Sequence, residues 1–154
     1  DVTFSSKLDM DNVGELTFNF EGSYNLEYEF QKTSTDPVYD YIGYYSQPEM
    51  RANFTIGYNY EDISSFITAR YIDGYKGETP EEEANGEEWI DDPSITTVDL
   101  GVRYSFGTMG QVGLIARNMF DKLPPINTDY TQGYNASLHS IIGRTIQLSY
   151  RVQF

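Results

Sequence analysis

The chain has 154 residues, enough for one ordinary domain, and carries 24 Asp and Glu against 10 Lys and Arg, a formal net charge of −14. That balance argues against a nucleic-acid partner, since phosphate binding draws on clustered basic side chains. The absence of Cys excludes a disulfide framework, a thiolate metal site and a cysteine nucleophile.

No apolar run approaches the roughly 20 residues of a membrane-spanning helix, but the alternating strands of a membrane barrel also average out to polar. The 14 Tyr and 9 Phe are a high aromatic loading for so acidic a chain. From its first residues the chain alternates (Val2, Phe4, Leu8, Met10), with no apolar leader segment ahead of them, so it is expected to begin partway through a sheet.

A tight turn, MDNVG, leads into ELTFNFEGSYNLEYEFQ, residues 15–31, where Leu16, Phe18, Phe20, Tyr24, Leu26, Tyr28 and Phe30 alternate with polar residues. Period two sustained this far predicts one strand of roughly 55 Å and excludes a helix. Weaker alternation predicts strands over 50–60 (Ala52, Phe54, Ile56, Tyr58, Tyr60) and 65–72 (Ile67, Ala69, Tyr71), joined by the short EDIS. The strand VDLGVRYSF follows, then the turn GTMGQ, a strand over 111–117 (Val112, Leu114, Ala116) and the closing stretch GRTIQLSYRVQF. This makes seven strands, with no helix-period segment between them.

Their connections alternate in length: the three turns are tight, whereas residues 32–49, 73–94 and 118–142 are long loops. Up-and-down antiparallel pairing with turns on one edge and loops on the other is the plan of an outer-membrane barrel. The fold expected is therefore all-β, an antiparallel segment of a transmembrane barrel, with apolar residues facing lipid and polar residues facing the lumen. Tyr58 and Tyr60, Tyr104 and Phe106, and Tyr150 and Phe154 close the descending strands at one level, as an interfacial aromatic girdle does.

The stretch ARNMFDKLPP, with Asn118, Phe120, Asp121 and Pro124, is followed by a last strand opening on Gly143 and Arg144 and carrying Ile146, Leu148, Tyr150, Val152 and Phe154. Together they resemble the C-terminal end of TonB-dependent outer-membrane receptors, and RYIDGY and TTVDLGVRYSF resemble that family's preceding strands. The resemblance implies a plugged barrel of about 22 strands in the outer membrane of a Gram-negative bacterium, importing a scarce ligand (siderophore, vitamin or oligosaccharide) with energy delivered by TonB. Residues 1–154 would be the C-terminal part of that barrel. The plug, the TonB-contacting part and the earlier strands lie outside this sequence and are expected from other chain. The resemblance also implies that the last strand is the signal read by the barrel-assembly machinery.

The expected partners are thus outer-membrane lipid, the remainder of the barrel and plug, TonB through the N-terminal part, and the assembly machinery; no cofactor is expected. Loop aromatics Tyr39, Tyr41, Tyr44, Tyr45 and Trp89 could stack on a ligand from outside, although Tyr-rich loops also pack on one another. Inward charges Asp99, Arg103, Arg117, Arg144 and Arg151 read first as cross-strand ion pairs and plug contacts. Glu81, Glu82, Glu83, Glu87, Glu88, Asp91 and Asp92 fit no Ca²⁺-loop spacing and read as a solvated loop, so no metal site is expected. His139, the single His, has no nucleophile and acid to act with, so no catalytic residues are expected. The sequons at Asn53 and Asn135 are discounted. The alternatives are an outer-membrane enzyme or autotransporter barrel, and a soluble β-sandwich binding module.

Overall fold

The structure is a computed structural model describing residues 1–152, so Phe154, expected to end the last strand, lies outside the described residues. Seven strands form one antiparallel sheet: β1 (Val2–Asp9), β2 (Glu15–Tyr24), β5 (Met50–Tyr60), β6 (Ile63–Ile72), β7 (Ile95–Ser105), β8 (Gln111–Arg117) and β9 (Thr145–Arg151), in that spatial order. Each strand pairs with its neighbour in sequence, apart from a small hairpin of β3 (Glu29–Phe30) and β4 (Tyr39–Asp40) set into the connection between β2 and β5. The sheet is not closed into a barrel: β1 and β9 are its two edges.

The register converts sequence alternation into continuous rows. One row runs Phe18, Ile56, Ile67, Leu100, Ala116, Ile146; a second runs Leu16, Tyr58, Ser65, Val102, Leu114, Leu148. Nearly every position on this face is apolar. A third row, at the edge where the short turns lie, runs Tyr60, Ile63, Tyr104, Val112, Tyr150. Three descending strands therefore do bring aromatics to one level. Two tyrosines of this edge tie their hydroxyls to the turns beside them, Tyr58 donating to the Val13 carbonyl at 2.7 Å and Tyr150 to that of Met109 at 2.8 Å.

The opposite face carries Asn19, Thr55, Thr68 and Asp99 in one row, and Glu21, Asn53, Arg70 and Thr97 in another. Its one large ring, Phe66, is accommodated by a row of glycines. Phe66 lies between Gly57 and Gly101 in register, and a Cβ at Gly101 would overlap the ring.

The ribbon expected over 15–31 is divided. Pairing of β2 with β5 stops at Tyr24 and Met50, where the Asn25 amide turns to the Glu49 carbonyl at 2.9 Å. Beyond that point the alternating residues have no long partner strand, and only Glu29–Phe30 finds one locally; Leu26 is 83% exposed. The strand expected from residue 65 starts at Ile63, and the loop expected over 32–49 contains β4. One short helix, α1 (Pro80–Ala84), also departs from the expectation of none. Thr79 caps it, accepting from the Glu82 amide while the Glu82 carboxylate accepts from the Thr79 amide, and Pro80 opens its first turn. The sequence TPEE carried that signature, and the acidic run around it obscured it.

The sheet has no hydrophobic core on either face: among the described residues the one large hydrophobic side chain that is buried is Tyr75, in the connection between β6 and β7. The buried residues gather instead where the long connections meet.

Candidate functional site

Three connections rise from the same edge of the sheet: loop L1 (25–49), loop L2 (73–94) and loop L3 (118–144). They are fastened to one another by buried polar groups. Asn135 of L3, 3% exposed, donates to the Tyr75 hydroxyl of L2 at 2.9 Å and to Ser46 of L1 at 2.8 Å. Asn127 of L3 donates to the Ile90 carbonyl at 2.7 Å and to Asp92 of L2 at 3.0 Å. The Tyr45 ring stacks on Tyr130 with centroids 5.4 Å apart, joining L1 to L3. Burial pushes the Tyr75 hydroxyl up to about 12, and pushes that of Tyr130 up as well, so both remain protonated at any physiological pH while they accept from Asn135.

The expected ligand-facing aromatics are placed unequally. Tyr41 donates to Glu81 at 2.5 Å and Tyr44 to Glu83 at 2.5 Å, with Lys76 salt-bridged to Glu83 and seated 4.8 Å from the Tyr44 ring centroid. Tyr39 pairs with Phe30 within the hairpin, and Trp89 remains 38% exposed. Tyr41, Tyr44 and Tyr45 thus join loop to loop. The acidic run is not uniformly solvated, as the sequence alone had it: Asp92 is 1% exposed, because its backbone bridges to Tyr75 and its Oδ2 accepts from Asn127. The Glu83 carboxyl is held below its ordinary value by the bonds from Lys76 and Tyr44.

Asn118, Asp121, Gly143 and Arg144, among the residues on which the expected resemblance rests, are brought together as one clasp between β8 and β9. Asn118 and Asp121 adopt positive φ, 48° and 56°, and Asn118 holds the turn by accepting from the Lys122 amide and donating to its carbonyl. The Asp121 carboxylate then accepts from the Arg144 amide at 2.7 Å. It lies so close to Gly143 that a Cβ there would overlap it. The Arg144 guanidinium reaches the Met119 carbonyl at 3.4 Å. Pro124 is buried and Phe120 is 65% exposed.

Below L3, on the polar face, lies a pocket of about 610 Å³. Its wall includes Arg70, Asp99, Arg117, Lys122 and His139 with Ile72, Ile95 and Leu138. Asp99, 4% exposed, accepts from Arg70 at 2.6 Å and from the Asn118 amide at 2.9 Å. Arg117 donates to the neutral side chain of Gln147 at 3.2 Å. Of the expected inward charges, then, Asp99 forms a cross-strand ion pair and Arg117 and Arg144 make neutral bonds. Sequence reasoning had not singled out Arg70 or Lys122. Arg70 shares the polar parity of its strand and could have been placed with Asp99 from register; nothing in the sequence marks Asn127, and Asn135 stands out only as a discounted sequon.

Burial lowers the pKa of His139 below its ordinary 6.5, with Arg51 adding to the shift and Asp92 opposing it. Below about 6.5 the unfolded chain binds a proton that the folded loop resists, so the contribution to stability declines as pH falls through that value. The protection factor of the Leu138 amide, which donates to the Asn135 carbonyl, is expected to fall between pH 7 and 5 (roughly the His range) once the slower intrinsic exchange at low pH is divided out, and His139→Gln to remove that dependence.

Among the described residues no group of His, Cys, Asp and Glu is arranged to hold a metal, and no helix is long and apolar enough to cross a membrane, which says nothing of crossing by strands. Comparisons with family models, curated proteins and solved structures find no match.

Proposed function

We propose that the chain is part of the barrel wall of a TonB-dependent outer-membrane transporter of a Gram-negative bacterium, taking up a scarce ligand, with L1, L2 and L3 facing outward. The observation that carries this reading is the unpartnered apolar face. Leu100, Leu114, Ile146 and Leu148 lie in its central rows and are 37%, 49%, 69% and 73% exposed. Soluble monomers seldom expose contiguous apolar patches beyond a few hundred Å². A sandwich would set a second layer across this face, and none is present among the described residues. Lipid supplies the missing contact without one.

Strand length supports the same reading: β2, β5, β6 and β7 run 10, 11, 10 and 11 residues, against the roughly 9–11 that a tilted strand needs to cross a bilayer. So do the aromatic row at the turn edge and the clasp that gives Asn118, Asp121, Gly143 and Arg144 one shared task. In lipid the unpaired edges of β1 and β9 would each leave backbone groups without partners, at several kcal/mol per group. Further strands are therefore part of the proposal.

The test is fractionation followed by uptake in the producing bacterium. The protein is expected in the outer-membrane fraction, and deletion of its gene is expected to abolish growth on one scarce nutrient in the same way that loss of TonB does. Recovery in the soluble fraction would overturn the barrel assignment. Outer-membrane recovery with no TonB-dependent growth defect on any supplied iron chelate, cobalamin or oligosaccharide would overturn the transport assignment.

A further inference from the structure

The pocket under L3 concentrates positive charge in a chain of net charge −14. Arg70 is matched by Asp99, but Arg117 and Lys122 have no carboxylate within 4.0 Å among the described residues. Of the ten Lys and Arg, Lys7, Lys32, Arg70 and Lys76 have an acidic partner within 4.0 Å among the described residues, so what distinguishes Arg117 and Lys122 is that they share one concave surface. Two unmatched cations on one concave surface, with Ile72, Ile95 and Leu138 beside them, present an amphipathic site. Its volume of about 610 Å³ falls within the roughly 300–1,000 Å³ of small-molecule sites. The rim is made by L3, so it lies at the loop end of the polar face.

We infer that this pocket binds an organic anion, an apolar body bearing carboxylates that Arg117 and Lys122 engage, with Arg70 held in the wall by Asp99. The inference rests on the polar face being a lumen open at the loop end. Arg offers a planar fork and Lys a mobile point charge, so together they tolerate a carboxylate in more than one orientation. The same cations could answer to carboxylates of the protein's own remaining chain, and the experiment separates that source from a free solute.

The full-length protein, extracted in neutral detergent, is dialysed to equilibrium against radiolabelled trimesate, a benzene ring with three carboxylates, and against its neutral triamide. Trimesate is expected to bind and the triamide not to, with affinity falling as salt is raised. Arg117→Gln and Lys122→Gln are each expected to weaken binding about tenfold, the equivalent of one charge-assisted hydrogen bond. Lys76→Gln, which removes a cation of L2 outside the pocket, should leave binding unchanged. Absence of trimesate binding to the wild type would overturn the inference and assign the cations to the protein's own carboxylates; equal binding by the Arg117→Gln/Lys122→Gln variant would overturn it too. Outer-membrane fractionation of the same cells reads the barrel separately. Protein that reaches that membrane yet ignores trimesate removes the pocket assignment alone, whereas soluble protein removes the transporter reading beneath it.

Discussion

Leu114→Arg is expected to weaken insertion, costing about 1–2 kcal/mol, between the values for an interfacial and a midplane site. Leu114 lies in a row with Val102 and Leu148, two register positions from the aromatic row's Val112, and is 49% exposed with no protein layer over it. The sign of the effect is what makes the test useful. On a sheet whose apolar face met water, a Leu to Arg change at so exposed a position would be near neutral or would improve solubility, because little burial is lost. Gln147→Glu, which puts a charge one residue from Leu148 on the opposite face and keeps an oxygen to accept from Arg117, serves as the control and is expected to change stability by less than about 0.5 kcal/mol. Urea titrations of the full-length protein in lipid vesicles give both values. Equal, small effects at Leu114 and Gln147 would mean that the apolar face does not meet lipid.

The strand pattern was legible because period-two alternation depends on one local property, the opposite directions of successive side chains. It placed the seven strands and the three turns. It failed where strand length depends on a partner: residues 25–28 continue the alternation, but β5 begins at Met50 and leaves them nothing to pair with. The helix was missed for a different reason. Its capping box lies in four residues, TPEE, inside a run of like charge that weighs against helix on average composition. The fastening of the loops was not legible at all. Asn127 and Asn135 acquire their meaning from Asp92, Tyr75 and Ser46, dozens of residues away, and Asn in a loop otherwise reads as turn chemistry. The clasp lies between these extremes: its residues stand together in the sequence reading, but the positive φ of Asn118 and the crowding of Gly143 by Asp121 became visible only in three dimensions.

Asp99→Ala is expected to cost about 2–4 kcal/mol, since it removes two hydrogen bonds to an ionised acceptor and leaves the Asn118 amide without a partner. The carboxylate is 4% exposed and spans two elements at once, holding Arg70 of β6 through one oxygen and the first residue of the clasp through the other. Arg70 is partly solvated, its side chain 49% exposed, so freeing it costs less than stranding a fully buried charge would, and the Asn118 bond should carry much of the loss. Asp99→Asn separates the two contributions. The amide oxygen can still accept from Asn118, so this variant should lose only about 1 kcal/mol if the clasp dominates, and nearly the full amount if the ion pair does. Arg70→Ala in the Asp99→Ala background completes the cycle: near-additivity would show that Asp99 acts chiefly on the clasp, and strong non-additivity that it acts chiefly on Arg70. In the first case amide exchange at Lys122 and Arg144 should rise sharply with Asp99→Ala, because the turn that sets the entry of β9 loses its anchor on β7.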